Sequence, residues 1–185
     1  QAGDDAALRL VLDIFQEAGF TVRAAHDIAP DLLPDAGYLT SHIPSEQNQI
    51  DTFRAVQAHI ALSWADIGQA CVASHGQITA VEAMAGTDWM LHSLIQGNPA
   101  TKMLPTGIND PVYWALDSAV DWLSGDPVVQ DTFQFPKGGV LFKAPKKDQD
   151  RRIDLPTIGP RTVMGAAEAG LDGIVIEANG VIVLD

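Results

Sequence analysis

The stretch from Gly139 to Leu184 constrains the fold more than any other part of the chain. Gly139–Lys143 is an apolar and aromatic run of strand length, and Pro160 stands where a helix through Ala169 would begin. Gly170 is placed to end that helix, and Gly173–Ala178 reads as a second strand. Strand, helix and strand in this order call for a right-handed crossover that lays the two strands side by side, the mark of an α/β fold. Asn179-Gly180 is a strong two-residue hairpin signal, with Val181–Leu184 as the return strand. The expected architecture is therefore α/β, a mixed sheet with flanking helices and a C-terminal strand–helix–hairpin unit.

Upstream, Leu8, Leu12 and Phe15 recur at helical spacing behind Asp4 and Asp5, and Gly19 can close that helix. Phe20–Ala25 reads as a short strand, and Pro30–Pro44, with three prolines, as loop. A second helix is expected over Ile50–Leu62, with Ile50, Phe53, Val56 and Ile60 on one face. Ala70–Val72 and Ile78–Val81 flank a turn at His75-Gly76 and predict a hairpin. Thr87 or Asp88 can cap a short helix through Ile95. Residues 96–111 read as loop, Pro111–Leu123 as helix carrying Trp114 and Trp122, and Gly125–Pro136 as irregular.

Charge narrows the function. The net charge of −13 argues against general nucleic-acid binding, because phosphate backbones favour basic surfaces. Yet seven of the eleven Lys and Arg residues fall between Lys137 and Arg161, opposed there only by Asp148, Asp150 and Asp154. An acidic protein with one basic segment looks like a protein with one anion site. The single cysteine, Cys71, permits no internal disulfide and suits a reducing compartment. Cys71 reads as a buried hydrophobe. His26, His59, His75 and His92 lack metal-ligand spacing and read as structural. No apolar run reaches the roughly 20 residues of a bilayer-spanning helix.

The basic segment runs from a strand into a helix. A helix start presents unpaired N–H groups to an anion, Lys and Arg add full charges, and ligands gather at the carboxyl ends of strands. Asp154 sits among these groups. It can hold a divalent metal, orient an attacking water, or simply pair with Arg151, Arg152 or Arg161; composition leaves these open.

The string KAPKKDQDRRIDLPTIGPRTV, residues 143–163, resembles the signature of the LpxI family. Further blocks resemble the same family in the same order. They are GDDAALRLVLDIFQEAGF at 3–20, AAHDI at 24–28, ADIGQACV at 65–72, VEAMAGTDWML at 81–91 and GLDGIVIEANGVIVLD at 170–185. The resemblance implies that residues 1–185 form the family's C-terminal catalytic-type domain, with an insertion at about 96–136 and with the family's N-terminal domain absent from this chain. It implies hydrolysis of the pyrophosphate of UDP-2,3-diacylglucosamine, giving 2,3-diacylglucosamine 1-phosphate and UMP in lipid A biosynthesis, with Mg2+ or another divalent cation. Asp154 is the aspartate of the family's DLPTIG motif and so the implied catalytic and metal residue. Lys143, Lys146, Gln149, Arg152, Thr157 and Thr162 fall in the same signature and are assigned to phosphate or substrate binding. Asp66, Gln69, Glu82, Thr87 and Asp88 match the other blocks and are assigned to the same cleft. The implied partners are a UDP-diacylglucosamine-type glycolipid and, peripherally, the cytoplasmic face of the inner membrane; a homo-oligomer is left open. The family's EGTD reads Ala85-Gly86-Thr87-Asp88 here, and His42 follows Ser41 where the family has proline. The loss of that acid keeps an alternative in play, a relative that binds a phosphorylated glycolipid or a partner protein without turnover.

Overall fold

A computed structural model describes residues 4–96, 135–147 and 149–184. The core is a four-stranded sheet in the order β2-β1-β3-β5, built from β1 (Ala70–Ser74), β2 (Gln77–Val81), β3 (Val140–Lys143) and β5 (Gly173–Ile176). β1 runs antiparallel to both β2 and β3, and β3 runs parallel to β5, so the sheet is mixed. The α/β expectation holds, as does the strand–helix arrangement near the C-terminus, where α5 (Pro160–Glu168) lies between β3 and β5 in sequence. Gly170 leaves α5 at φ 76°, a conformation that favours glycine.

Alternation along the strands assigns the two faces of the sheet. Cys71 and Ala73 of β1, with Phe142 and then Ala144 from β3 and its exit, pack against Ala55, Val56, Ala58 and Leu62 of α3 (Glu46–Trp64). Small residues on β1 let the helix approach so closely that the Cys71 thiol donates to the Ala55 carbonyl at 3.3 Å. Burial pushes that thiol up to about 12, far from the thiolate that reacts. Val72, Leu141 and Lys143 have the opposite parity and face the side of α4 (Gly86–Gln96). Met90, Leu91 and Leu94 of α4 are buried there, each worth about 1.5–3 kcal/mol relative to exposure.

The expected hairpin is present. His75 and Gly76 both take positive φ, 51° and 78°, as a tight two-residue turn requires. The Asp51 carboxylate of α3 holds this turn, accepting from the backbone N–H of His75 at 3.2 Å and of Gly76 at 2.6 Å. Gln47 Nε2 donates to the same group at 3.0 Å.

Three expectations are corrected. Phe20–Ala25 is not a strand; the chain there is irregular and enters a one-turn helix, α2 (Ala25–Ile28), whose Asp27 carboxylate accepts from the Ala24 N–H at 3.1 Å. In α3, Ile50, Phe53 and Ile60 are 51%, 66% and 53% exposed, and only Val56 of the expected face meets the core. The buried stripe is instead Asn48, Asp51, Ala55 and His59. The polar members have partners: Asn48 Nδ2 donates to Asp172 at 2.7 Å, and His59 Nε2 lies 3.0 Å from the Ala144 carbonyl with its ring edge-on to Phe142. The third correction concerns Asn179-Gly180. Asn179 has φ 57° but Gly180 does not follow it into positive φ, so the two-residue hairpin geometry is not met. The Asn179 N–H donates instead to Pro34 O at 3.0 Å, and β6 (Ile182–Val183) pairs parallel with the short β4 (Thr157–Ile158) rather than with β5.

The remaining elements follow expectation more closely. α1 (Asp4–Glu17) ends before Gly19 at φ 86°, and Pro30–Leu32 forms a single tight turn within the proline-rich loop. Gln96, expected to open a loop at 96–111, instead ends α4; the rest of that loop, the helix over Pro111–Leu123 with Trp114 and Trp122, and most of the stretch to Pro136 lie outside the described residues. No helix among the described residues is long and apolar enough to cross a membrane.

Candidate active site

Lys143 closes β3 at the carboxyl end of a central strand, between Ala70 of β1 and Ile176 of β5. It is only 7% exposed. Its ammonium donates to Thr87 Oγ1 at 2.8 Å and to the Thr157 carbonyl at 3.1 Å, tying the start of α4 and the start of β4 to the sheet. Burial lowers its pKa, opposed by the charges of Glu82, Asp88 and Asp154. The charges of three carboxylates thus offset the burial of one lysine.

Each arrives by a local device. Glu82 follows β2 and continues the ladder, its N–H donating to Ala70 O at 2.8 Å. Gly68 passes so close that an added Cβ would lie 2.2 Å from the Glu82 carbonyl, so this approach requires glycine. Asp88 is in the first turn of α4, after Gly86 at φ 83°, and its carboxylate pairs with Arg161 of α5 at 2.5 Å. That pair is exposed and contributes at most about 1 kcal/mol. Asp154 is half-buried in the turn before the fully buried Pro156, its N–H bonded to Asp150 O at 3.1 Å. Thr157 lies at the start of β4, and Thr162 is buried in the first turn of α5.

A second group lies on the loop leaving β3. Lys146 Nζ pairs with Asp66 at 2.5 Å, and the Gln149 side-chain oxygen accepts from the Lys146 N–H at 2.8 Å. Gln69 holds the same loop through its carbonyl, which accepts from the Ala144 N–H at 3.0 Å. Lys147 rests its ammonium 3.5 Å from the centre of the Trp64 ring. Asp66, Gln69, Lys146 and Gln149 are therefore neighbours. Arg152 is engaged within its own loop: its guanidinium grips Asp150 at 3.0 and 2.6 Å, and that contact holds the Asp150 carboxyl down to about 2.

Buried polar atoms without a partner need an explanation. Four such atoms occur among the described residues: Glu82 Oε2, Gln149 Nε2, His26 Nδ1 and Ser74 Oγ. The first two belong to residues singled out from the sequence. His26 does not; its sequence context reads as structural, and its only signal is the AAHDI block. His26 lines a cleft of about 340 Å3 with Pro30, Leu33, Arg151 and Asn179. His59 and Cys71 do sit in the core, as read, and burial lowers the His59 pKa.

The fold and this arrangement define an α/β unit that gathers carboxylates, hydroxyls and cations at the carboxyl ends of its strands. A family model described as the LpxI C-terminal domain matches residues 35–106 and 118–185. A UDP-2,3-diacylglucosamine pyrophosphatase LpxI of Caulobacter vibrioides is 36% identical over 183 residues, 99% of this chain and 55% of that protein. The chain belongs to the LpxI family, in its C-terminal domain, and spans about half the length of the curated relative it matches.

Proposed function

We propose that this domain hydrolyses the pyrophosphate of a UDP-2,3-diacylglucosamine-type glycolipid, releasing UMP and 2,3-diacylglucosamine 1-phosphate, with Asp154 as the acting carboxylate. The observation that supports this most is the buried Lys143 at the end of β3, whose ammonium ties Thr87, beside Asp88, and Thr157, at the end of the Asp154 loop, to the same strand end. The activity named for the Caulobacter relative supports the choice of substrate.

Water must attack a phosphorus already ringed by negative oxygens. Asp154 orients that water and takes up its proton as the new P–O bond forms. The bond to the bridging oxygen breaks, and that oxygen leaves on the other phosphate. Lys146 and Arg161 offer positive charge nearby, while Lys143 fixes the Asp154 loop against α4 through Thr87 and Thr157. Among the described residues no three His, Cys, Asp or Glu side chains cluster as a ready-made metal site. A magnesium-type ion needs only one or two carboxylates when phosphates complete its shell, and Glu82, with an unpartnered buried oxygen, fits that need. Bound there, it would neutralise charge on the diphosphate. Met84 and Trp89, 103% and 62% exposed at the start of α4, support approach from the cytoplasmic surface of the inner membrane.

Ala85, where the family carries an acid, favours a second reading, retention of the glycolipid without turnover. Incubation with UDP-diacylglucosamine and magnesium separates the two. Chelator-sensitive UMP release supports hydrolysis; bound lipid with no UMP supports the binder and overturns the first reading.

A further inference from the structure

The outward face of α3 is apolar in a regular way. Ile50, Phe53, Ile60 and Trp64 are all at least half exposed, and with the exposed Gln57 they recur at spacings of three, four, three and four residues. That repeat keeps one seam in line along a helix, and it is the pattern by which a second helix packs side by side. The sheet does not account for it, because α3 meets the sheet with Asn48, Asp51, Ala55 and His59. A solvent-facing helix surface is ordinarily charged. Between Thr52 and Ala65, Arg54 is the sole Lys, Arg, Asp or Glu, on a chain whose net charge is −13.

The order of residues along the seam selects its occupant. Ile50 and Trp64 lie seven residues to either side of Gln57, and Phe53 and Ile60 lie four before and three after. A seam with that symmetry is its own complement when the mate runs antiparallel about a two-fold axis at Gln57. Ile50 then meets Trp64 of the mate, Phe53 meets Ile60, and the two Gln57 amides meet each other, where a polar pair fixes register. Charge agrees at the ends. Lys147 lies 3.5 Å from the centre of the Trp64 ring, and the exposed Glu46 opens the helix at the other end. Asp66, also near Trp64, is already paired with Lys146. Antiparallel pairing brings Glu46 of each copy to the end where the other carries Lys147, whereas parallel pairing sets Glu46 against Glu46. Phe and Trp cover roughly 150–250 Å2 each when buried, so the four apolar side chains offer on the order of 500 Å2 per copy. Their flanks bring the patch toward the roughly 800 Å2 a side of a stable pair.

We propose that a second copy of this chain packs antiparallel on the α3 seam, about a two-fold axis through Gln57. Both ends of the contact abut the loop leaving β3, which Lys146 and Lys147 pin to Asp66, Ser63 and Trp64. Pairing therefore steadies that loop. The interface does not depend on the chain being a hydrolase.

The test is sedimentation velocity on the full chain from about 1 to about 200 µM protein, at about 0.15 M salt, where a Debye length of about 8 Å screens the repulsion between two acidic copies. The expected result is a monomer–dimer equilibrium with Kd in the micromolar range, weakened about tenfold or more by Phe53→Glu. Phe53 is 66% exposed, so that variant should keep the urea unfolding midpoint of the dilute, monomeric chain. Cysteine pairs then read the register. Gln57→Cys sits on the two-fold and should form an intermolecular disulfide in air, with the native Cys71 buried and out of competition. Ile50→Cys should not, because residue 50 of an antiparallel mate lies about 20 Å away along the helix. A monomer throughout the range overturns the proposal and leaves the seam to a different partner. So does a dimer untouched by Phe53→Glu, or an Ile50→Cys disulfide that forms as readily as that of Gln57→Cys.

Discussion

Asp51 should be among the most costly residues to remove, although it touches no proposed substrate group. Its side chain is fully buried in α3 and accepts three hydrogen bonds, two of them from the backbone of the β1–β2 turn. Asp51→Ala strands the N–H groups of His75 and Gly76 behind a cavity. Each hydrogen bond to a charged acceptor contributes about 1.5–3 kcal/mol. The 3.2 Å bond to His75 belongs at the low end and the 2.6 Å bond to Gly76 at the high end. Gln47 is exposed and regains water, so its share is small. The expected loss is about 4–5 kcal/mol, or about 8–20 °C in Tm for a chain of this size. Asp51→Asn keeps one acceptor oxygen and should lose about half as much. Urea unfolding followed by circular dichroism measures both, as a shift in midpoint at constant slope. A loss below about 0.5 kcal/mol for Asp51→Ala would show that the turn is held by its own geometry and that the buried carboxylate is incidental.

Two further perturbations bear on the scaffold. Gly68→Ala places a Cβ 2.2 Å from the Glu82 carbonyl, so either the backbone after β2 shifts or the fold weakens by about 1–3 kcal/mol; hydrogen exchange at Glu82 should speed up, and unchanged exchange contradicts the close approach. Burial lowers the His59 pKa below its unfolded value near 6.5, so the native state holds fewer protons than the unfolded chain between the two values. The stability tied to neutral His59 is fully present above about pH 6.5 and is lost as pH falls toward the folded value. The urea midpoint should drop between about pH 7.5 and about pH 5.5, and His59→Gln should flatten that drop; an equal drop in the variant assigns it elsewhere.

Patterns that close locally were legible in the chain. The His75-Gly76 hairpin, the helix from Pro160 and the β3 and β5 strands all follow from turn residues and short-range periodicity. What escaped depends on partners far away. The apolar stripe of α3 is real, but it points outward, because Asn48, Asp51 and His59 meet Asp172, the β-turn and Ala144 across the sheet. Periodicity finds a stripe and cannot say which side faces the core. Asn179-Gly180 has hairpin chemistry, yet Pro34 captures its N–H and β4 captures the return strand. At the site, the string from Lys143 to Thr162 pointed to one region. Only the fold distinguishes Arg152, spent on Asp150, from Arg151, which faces a cleft with His26.

The account turns on the carboxylate of residue 154, and the rate of UMP release by Asp154→Asn relative to the unaltered chain tests it most directly. The prediction is a fall of about 10²–10⁴-fold with the urea unfolding midpoint unchanged. Release within a few-fold of the unaltered chain would contradict it and move the chemistry to another carboxylate beside Lys143.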